Sequence, residues 1–290
     1  MHMVDKGRVP FLYLLTVTVI SVLLILLNVL LGMRIPFSVS FLVGYVGTSL
    51  VFVVWHAVLT KGWKRSLLMF CLSFVMAFIA EALGVNFGLV FGHYYYTPML
   101  GPSLFGVPFL AALAWEPIVY AAFCLGDMLV SRGENLLPSV LHKTSVLWVA
   151  ALGALATTAW DMMIDPIAVS QGWWVWVDGG PYVPYVAQGV PITNFLGWLL
   201  VAFVINWVYH WVAGGKSTST SSASLSFYGP LTLYGSLFLT AFGASLTILK
   251  RPEVALIGSL AMGPFIVITL TNLPYFLFLM RNYQTTVAKS

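Results

Sequence analysis

Charge is what this 290-residue sequence has least of: 8% of its positions are Asp, Glu, Lys or Arg, against 60% hydrophobic residues. A soluble domain carries roughly 25% charged residues, so an aqueous globular fold is excluded for most of the chain. The mean hydropathy of +0.95 says the same. The formal charge of +4 reflects scarce acids (9) more than abundant bases (13). No run of Lys or Arg is long enough to track a nucleic acid. Cysteine is nearly absent as well. Cys71 and Cys124 both fall in apolar runs, where they act as small hydrophobes. They offer neither a disulfide framework nor metal-site spacing. H-E-x-x-H, P-loop and dinucleotide fingerprints are missing, and five histidines give poor support to a haem or di-iron site.

What is present is a series of long apolar runs. A helix needs roughly 20 apolar residues to cross the hydrocarbon core. Eight segments qualify, at about 10–31, 37–59, 66–90, 104–131, 144–164, 190–213, 226–249 and 253–280. The first is longer than a signal-peptide core of roughly 7–15 residues, and no small-residue cleavage site follows it, so it reads as a retained span. The expected fold is an all-α polytopic integral membrane bundle of about eight transmembrane helices, forming one domain over residues 1–290. With the N-terminus inside, one side of that bundle holds ten Lys and Arg and the other three, Arg34, Lys250 and Arg251. This positive-inside bias puts both termini in the cytoplasm and the protein in the cell membrane, in contact with membrane lipid. The Ser- and Thr-rich stretch 216–226 reads as a loop without chemistry.

Two long loops, 91–103 and 165–189, fall on the side opposite the termini and contain no Lys or Arg. They resemble each other. One runs Glu81, Tyr94-Tyr95-Tyr96, Gly101-Pro102, Gly106-Val107-Pro108, Trp115. The other runs Asp165, Trp173-Trp174-Val175-Trp176, Gly180-Pro181, Gly189-Val190-Pro191, Trp198. The pair reads either as a degenerate internal repeat, an architecture that often places a site at the repeat interface, or as a chance similarity between Gly/Pro loops.

Four of the nine acids, Glu81, Glu116, Asp161 and Asp165, lie in or at the ends of apolar spans. A centrally placed charge costs about 2.5–3.5 kcal/mol on insertion scales, and function is its default reading. Asp161 and Asp165 are four apart and share one helix face. Two carboxyls so close in a low dielectric resist double ionisation, leaving one protonated acid beside one acceptor. Glu116 precedes Pro117, which frees a carbonyl and kinks the helix. Glu81 and Glu116 also fit a role as interhelical hydrogen-bonding glue, and Asp165-Pro166 fits a helix end at the interface. His93 reads as a proton relay or as an interfacial residue; His56 and His210 read as packing residues.

Aromatic residues gather near these acids: Tyr94, Tyr95, Tyr96, Trp115, Trp160, Trp173, Trp174, Trp176, Phe195 and Trp198. They fit an interfacial belt or the lining for an apolar polyene whose carbocation their π-faces would stabilise, at roughly 0.5–2 kcal/mol per contact. No Lys or Arg occurs between residues 66 and 131 or between 144 and 215, so a diphosphate would find no cationic clamp. The D-x-x-x-D spacing is reminiscent of membrane prenyltransferases, yet the partner N-D-x-x-D motif is missing.

The sequence E-A-L-G-V-N-F-G (81–88), F-G-H-Y-Y-Y (91–96), F-G-V-P (105–108), D-x-x-x-D-P (161–166), W-V-W (174–176) and G-V-P-x-x-N-F-x-G-W (189–198) resembles the CruF-type carotenoid hydratases, over about residues 75–212. The resemblance implies cofactor-independent addition of water to the terminal isopropylidene double bond of an acyclic, monocyclic or C50 carotenoid, giving a tertiary alcohol. It implies no metal and no cofactor, with carotenoid as substrate and other carotenoid-pathway enzymes as partners. Asp161, Asp165, Glu116 and Glu81, in that order, become the catalytic candidates, with Asn194 placed to position water. Rival readings are a proton-coupled transporter, with acids beside broken helices, and a prenyltransferase or lycopene elongase, which would need magnesium and an allylic diphosphate.

Overall fold

The computed structural model describes residues 39–136, 145–178, 180–183, 189–213 and 223–271. Among them are seven α-helices: α1 (Val39–Lys61), α2 (Trp63–Phe87), α3 (Phe109–Leu136), α4 (Ser145–Ser170), α5 (Ile192–Ala213), α6 (Ala223–Thr247) and α7 (Pro252–Thr271). Four short strands accompany them: β1 (His93–Tyr96), β2 (Ser103–Leu104), β3 (Val107–Pro108) and β4 (Trp174–Asp178). Six of these helices, all but α6, are long and apolar enough to cross a membrane. The expected first span at 10–31 and the end of the last lie outside the described residues. The protein is an all-α polytopic membrane protein.

Burial follows the logic of a bundle in lipid. Side chains such as Val51, Phe87 and Leu260 are more than 60% exposed, an arrangement that water would penalise and hydrocarbon does not. Helix α3 sits at the centre: Ile118 to Leu125 are all buried, the signature of a helix that is apolar all round. Helix α4 packs against α3, α5 and α7, while α1 and α2 flank α3 and α2 also reaches α5. Small residues let the central pair approach. A Cβ on Gly126 of α3 would stand 2.9 Å from the Val149 carbonyl oxygen and 3.0 Å from the Gly153 nitrogen of α4, the close backbone contact that small residues permit in membranes.

Several boundaries differ from the hydropathy reading. Helix α3 starts at Phe109, not 104, because Ser103–Leu104 and Val107–Pro108 pair as a hairpin. Helix α2 stops at Phe87, where Gly88 adopts a left-handed cap (φ 67°) whose N–H bonds back to Gly84. Helix α4 does not end at 164 but runs through Pro166 to Ser170. Proline removes one backbone bond and crowds the carbonyl four residues earlier, and the buried residues Ile167 and Ala168 hold the last turns in the core.

The two similar loops meet. Strands β1 and β4 pair antiparallel, Tyr94 with Trp176, Tyr95 with Val175 and Tyr96 with Trp174, so both loops lie at one end of the bundle. The pairing is symmetric about Tyr95–Val175, which are 80 residues apart. The same interval separates Gly92 from Gly172, both at positive φ (96° and 69°), and Glu81 from Asp161. An interval of 80 sets Glu81 against Asp161, whereas the loop similarity sets it against Asp165. Two helix–strand–helix units, α2–β1–α3 and α4–β4–α5, follow the same order of elements, and Trp115 and Trp198, 83 residues apart, stack with centroids 3.7 Å apart and planes 7° apart.

The close α3–α4 contact gives a direct test. Gly126→Leu is expected to lower unfolding stability by about 1–3 kcal/mol through overpacking, read as a fall in the thermal midpoint in detergent. Gly47→Ala, where a Cβ meets nothing within 4 Å, is the control expected to change little.

Candidate active site

Beneath the β1–β4 ribbon lies an apolar cavity of about 100 Å³. Its walls come from six helices, α1 to α6, and from strands β1 and β4, which is why no short segment of sequence contains it. Trp115, Trp160, Trp173, Trp174, Trp176 and Trp198 all line it, together with Phe91, Tyr94 and Tyr96. No Lys, Arg or His does.

Glu81, on the buried stripe of α2, is held by three neutral donors. The hydroxyls of Tyr94 and Tyr96 both donate to its Oε2, the latter at 2.8 Å, and Trp115 Nε1 donates to Oε1 at 2.9 Å. Strand alternation aims Tyr94 and Tyr96 inward. Room for Tyr94 comes from Gly84, one turn after Glu81: a Cβ there would lie 2.7 Å from the tyrosine ring. Burial first, and then the neighbouring Glu81, pushes both phenols well above the usual tyrosine range. They therefore stay protonated, as donors.

The second acid cluster is the α4 pair. Asp161 and Asp165 are both buried, and Asn194 at the start of α5 bridges them. Its Nδ2 donates to Asp161 Oδ2 at 2.8 Å and also to Asp165 Oδ2. Trp174 Nε1 donates to Asp165 Oδ1 at 2.9 Å. Asp161 Oδ1 has no hydrogen-bond partner. Asp165, Glu81 and Asn194 all line the cavity, whereas Asp161 stands behind Asn194. One apolar space thus meets a saturated carboxyl, Glu81, and Asp165, which shares Asn194 with Asp161.

Not every expected residue joins this site. Glu116 is buried but lines a different cavity, with Tyr120, between α1 and α2. Tyr95 is half-exposed on the opposite face of β1, as strand alternation requires once its neighbours face in. Phe195 packs beside Val169 and Val190, and His93 pairs across the ribbon with Asp178; neither lines the cavity. Conversely, the far wall holds residues that no motif marks: Tyr45 and Ser49 of α1 and Thr240 of α6. The Ser49 and Thr240 hydroxyls are buried without partners, while Tyr45 bonds Ser236 at 2.8 Å. Isolated Ser and Thr in apolar helices are common enough that only the tertiary arrangement distinguishes these.

Fold and cavity together define a polytopic helical membrane protein whose buried acids face an aromatic-walled apolar space. The chain belongs to a carotenoid biosynthesis protein family, whose sequence profile matches residues 43–264. No curated protein and no solved structure gives a significant match.

The Glu81 anchor can be probed without touching the acid. Gly84→Ala is expected to displace Tyr94 and cost about 1–3 kcal/mol of stability, measured by thermal unfolding. In ultraviolet titration, tyrosinate from Tyr94 and Tyr96 is expected only above the ordinary range near ~10. Tyr94→Phe and Tyr96→Phe should therefore remove signal from the alkaline end alone. The unfolded chain loses those protons first, so stability is retained below that range and declines as pH rises beyond it.

Proposed function

We propose that the protein is a carotenoid hydratase, adding water to the terminal isopropylidene double bond of its substrate to give a tertiary alcohol. The observation that supports this most is the Asp161–Asn194–Asp165 cluster on the wall of a cation-free, tryptophan-lined cavity. Two carboxyls bridged by one amide are costly to ionise together, so one of them keeps a proton. A protonated carboxyl facing an apolar space is suited to protonating an alkene, whereas gripping a diphosphate calls for cations.

In this reading Asp165, which lines the cavity, donates its proton to the less substituted alkene carbon. The π electrons form the new C–H bond and the adjacent carbon becomes a tertiary cation. The faces of Trp174, Trp198 and Trp115 stabilise that cation, each by roughly 0.5–2 kcal/mol. Water adds to the cation, and its surplus proton returns to the carboxylate pair, so no net proton is consumed. The Asn194 amide N–H group is occupied by the two aspartates, which gives it the task of fixing their geometry. The orphan hydroxyls of Ser49 and Thr240 provide a place for water on the far wall. Glu81, saturated by three donors, holds its carboxyl in a fixed place on the same cavity wall. Glu116, in its separate cavity, takes no part.

Expression in a carotenoid-producing host, followed by mass analysis, is expected to reveal products heavier by one or two waters. Asp165→Asn should lower conversion by at least about a hundredfold, the usual scale of general-acid loss, with folding preserved by the isosteric amide. Asp161→Asn should also impair it. Unchanged carotenoids with the wild-type protein, or full activity in both variants, would rule the proposal out.

A further inference from the structure

The cavity holding Glu116 is separate from the site above and has its own chemistry. It occupies about 340 Å³ between the later half of α1, the first turns of α2 and the middle of α3. Val53, Ala57 and Met69 form its buried walls, and Val54, Val58 and Leu67, each 40–54% exposed, form its rim. That rim lies on the sides of two helices long and apolar enough to span a membrane, with the exposed Trp63 at the start of α2 closing one edge.

Polar groups within this cavity are few, and most are already engaged. The Tyr120 hydroxyl lies 2.6 Å from His56 Nδ1. The Ser66 hydroxyl donates to the Gly62 carbonyl at 2.8 Å. Glu116 differs: it is 1% exposed, and its Oε1 has no hydrogen-bond partner. An unsatisfied buried polar atom is destabilising, and more so when it is charged. Such an atom aimed into this cavity points to a ligand that completes it.

We propose that this cavity binds the hydroxyl end of a long-chain alcohol taken from the membrane. The alkyl chain lies against the α1–α2 aliphatic rim, and the O–H donates to Glu116 Oε1. The lining selects against an anionic head group, which would meet a carboxyl with no Lys or Arg among the described lining residues. A plain hydrocarbon would fill the cavity yet leave the carboxyl oxygen unpaired. The assignment is independent of the hydratase proposal.

The test uses the full chain in lipid nanodiscs and two photoreactive probes, a diazirine-bearing long-chain primary alcohol and its alkane counterpart, with cross-links mapped by mass spectrometry. The alcohol is expected to label segments 53–58 and 63–70 several-fold more than the alkane. Glu116→Leu should reduce alcohol labelling to the alkane level, and Glu116→Gln, which keeps an acceptor, should retain part of the excess. Val54→Trp, placed at the mouth and outside the core, should block labelling by both probes. Equal labelling by alcohol and alkane in the wild type would overturn the proposal. So would undiminished alcohol labelling in Glu116→Leu or in Val54→Trp.

Discussion

Three carboxyl groups around a cation-free cavity must be satisfied by neutral donors, and much of the surrounding structure follows from that need. Glu81 takes two phenols and an indole; the aspartate pair takes an amide and an indole. Each donor has to come from another element, because a helix's own N–H groups are committed to its backbone. The β1–β4 ribbon brings Tyr94, Tyr96 and Trp174 to the acids, and α3 and α5 bring Trp115 and Asn194. Satisfying the carboxyls in this way locks two similar helix–strand–helix units against each other. Pairing a buried acid with neutral donors also leaves the cavity free of fixed positive charge, which bears on any chemistry passing through a carbocation.

The two helix–strand–helix units are similar in outline and differ in how they hold their acids. The strand pairing and the left-handed glycines share an interval of 80 residues, while the face-to-face Trp115–Trp198 stack is spaced by 83. At the interval of 80 Glu81 corresponds to Asp161, but their surroundings differ. Glu81 is saturated, whereas Asp161 keeps one oxygen unpartnered and shares Asn194 with Asp165. Asp165 is the added acid: its counterpart 80 residues earlier is Val85. One half therefore holds a fixed carboxyl and the other a pair able to share a proton.

Much of this was legible in the residues. Scarce charge and long apolar runs announce a membrane bundle, and the i,i+4 aspartates announce a shared helix face. The clustering of Trp and Tyr beside the acids foreshadowed the cavity wall. Other features were hidden for definite reasons. Strand alternation removes Tyr95 from a run of three tyrosines, which sequence alone treats alike. Glu116 and Trp115 are neighbours in sequence, yet adjacent helix positions point about 100° apart and serve different cavities. Ser49 and Thr240 reach the site from α1 and α6, separated from each other by most of the chain.

The sequence by itself determined the solvent of this protein, the number of acids it has to bury and the identity of the aromatic donors, because hydropathy and composition are local properties. Which carboxyl meets which donor was decided only by tertiary structure. The register of β1 on β4 and the close approach of α3 to α4 are long-range choices, and a single residue's shift in strand register would turn Tyr94 and Tyr96 away from Glu81.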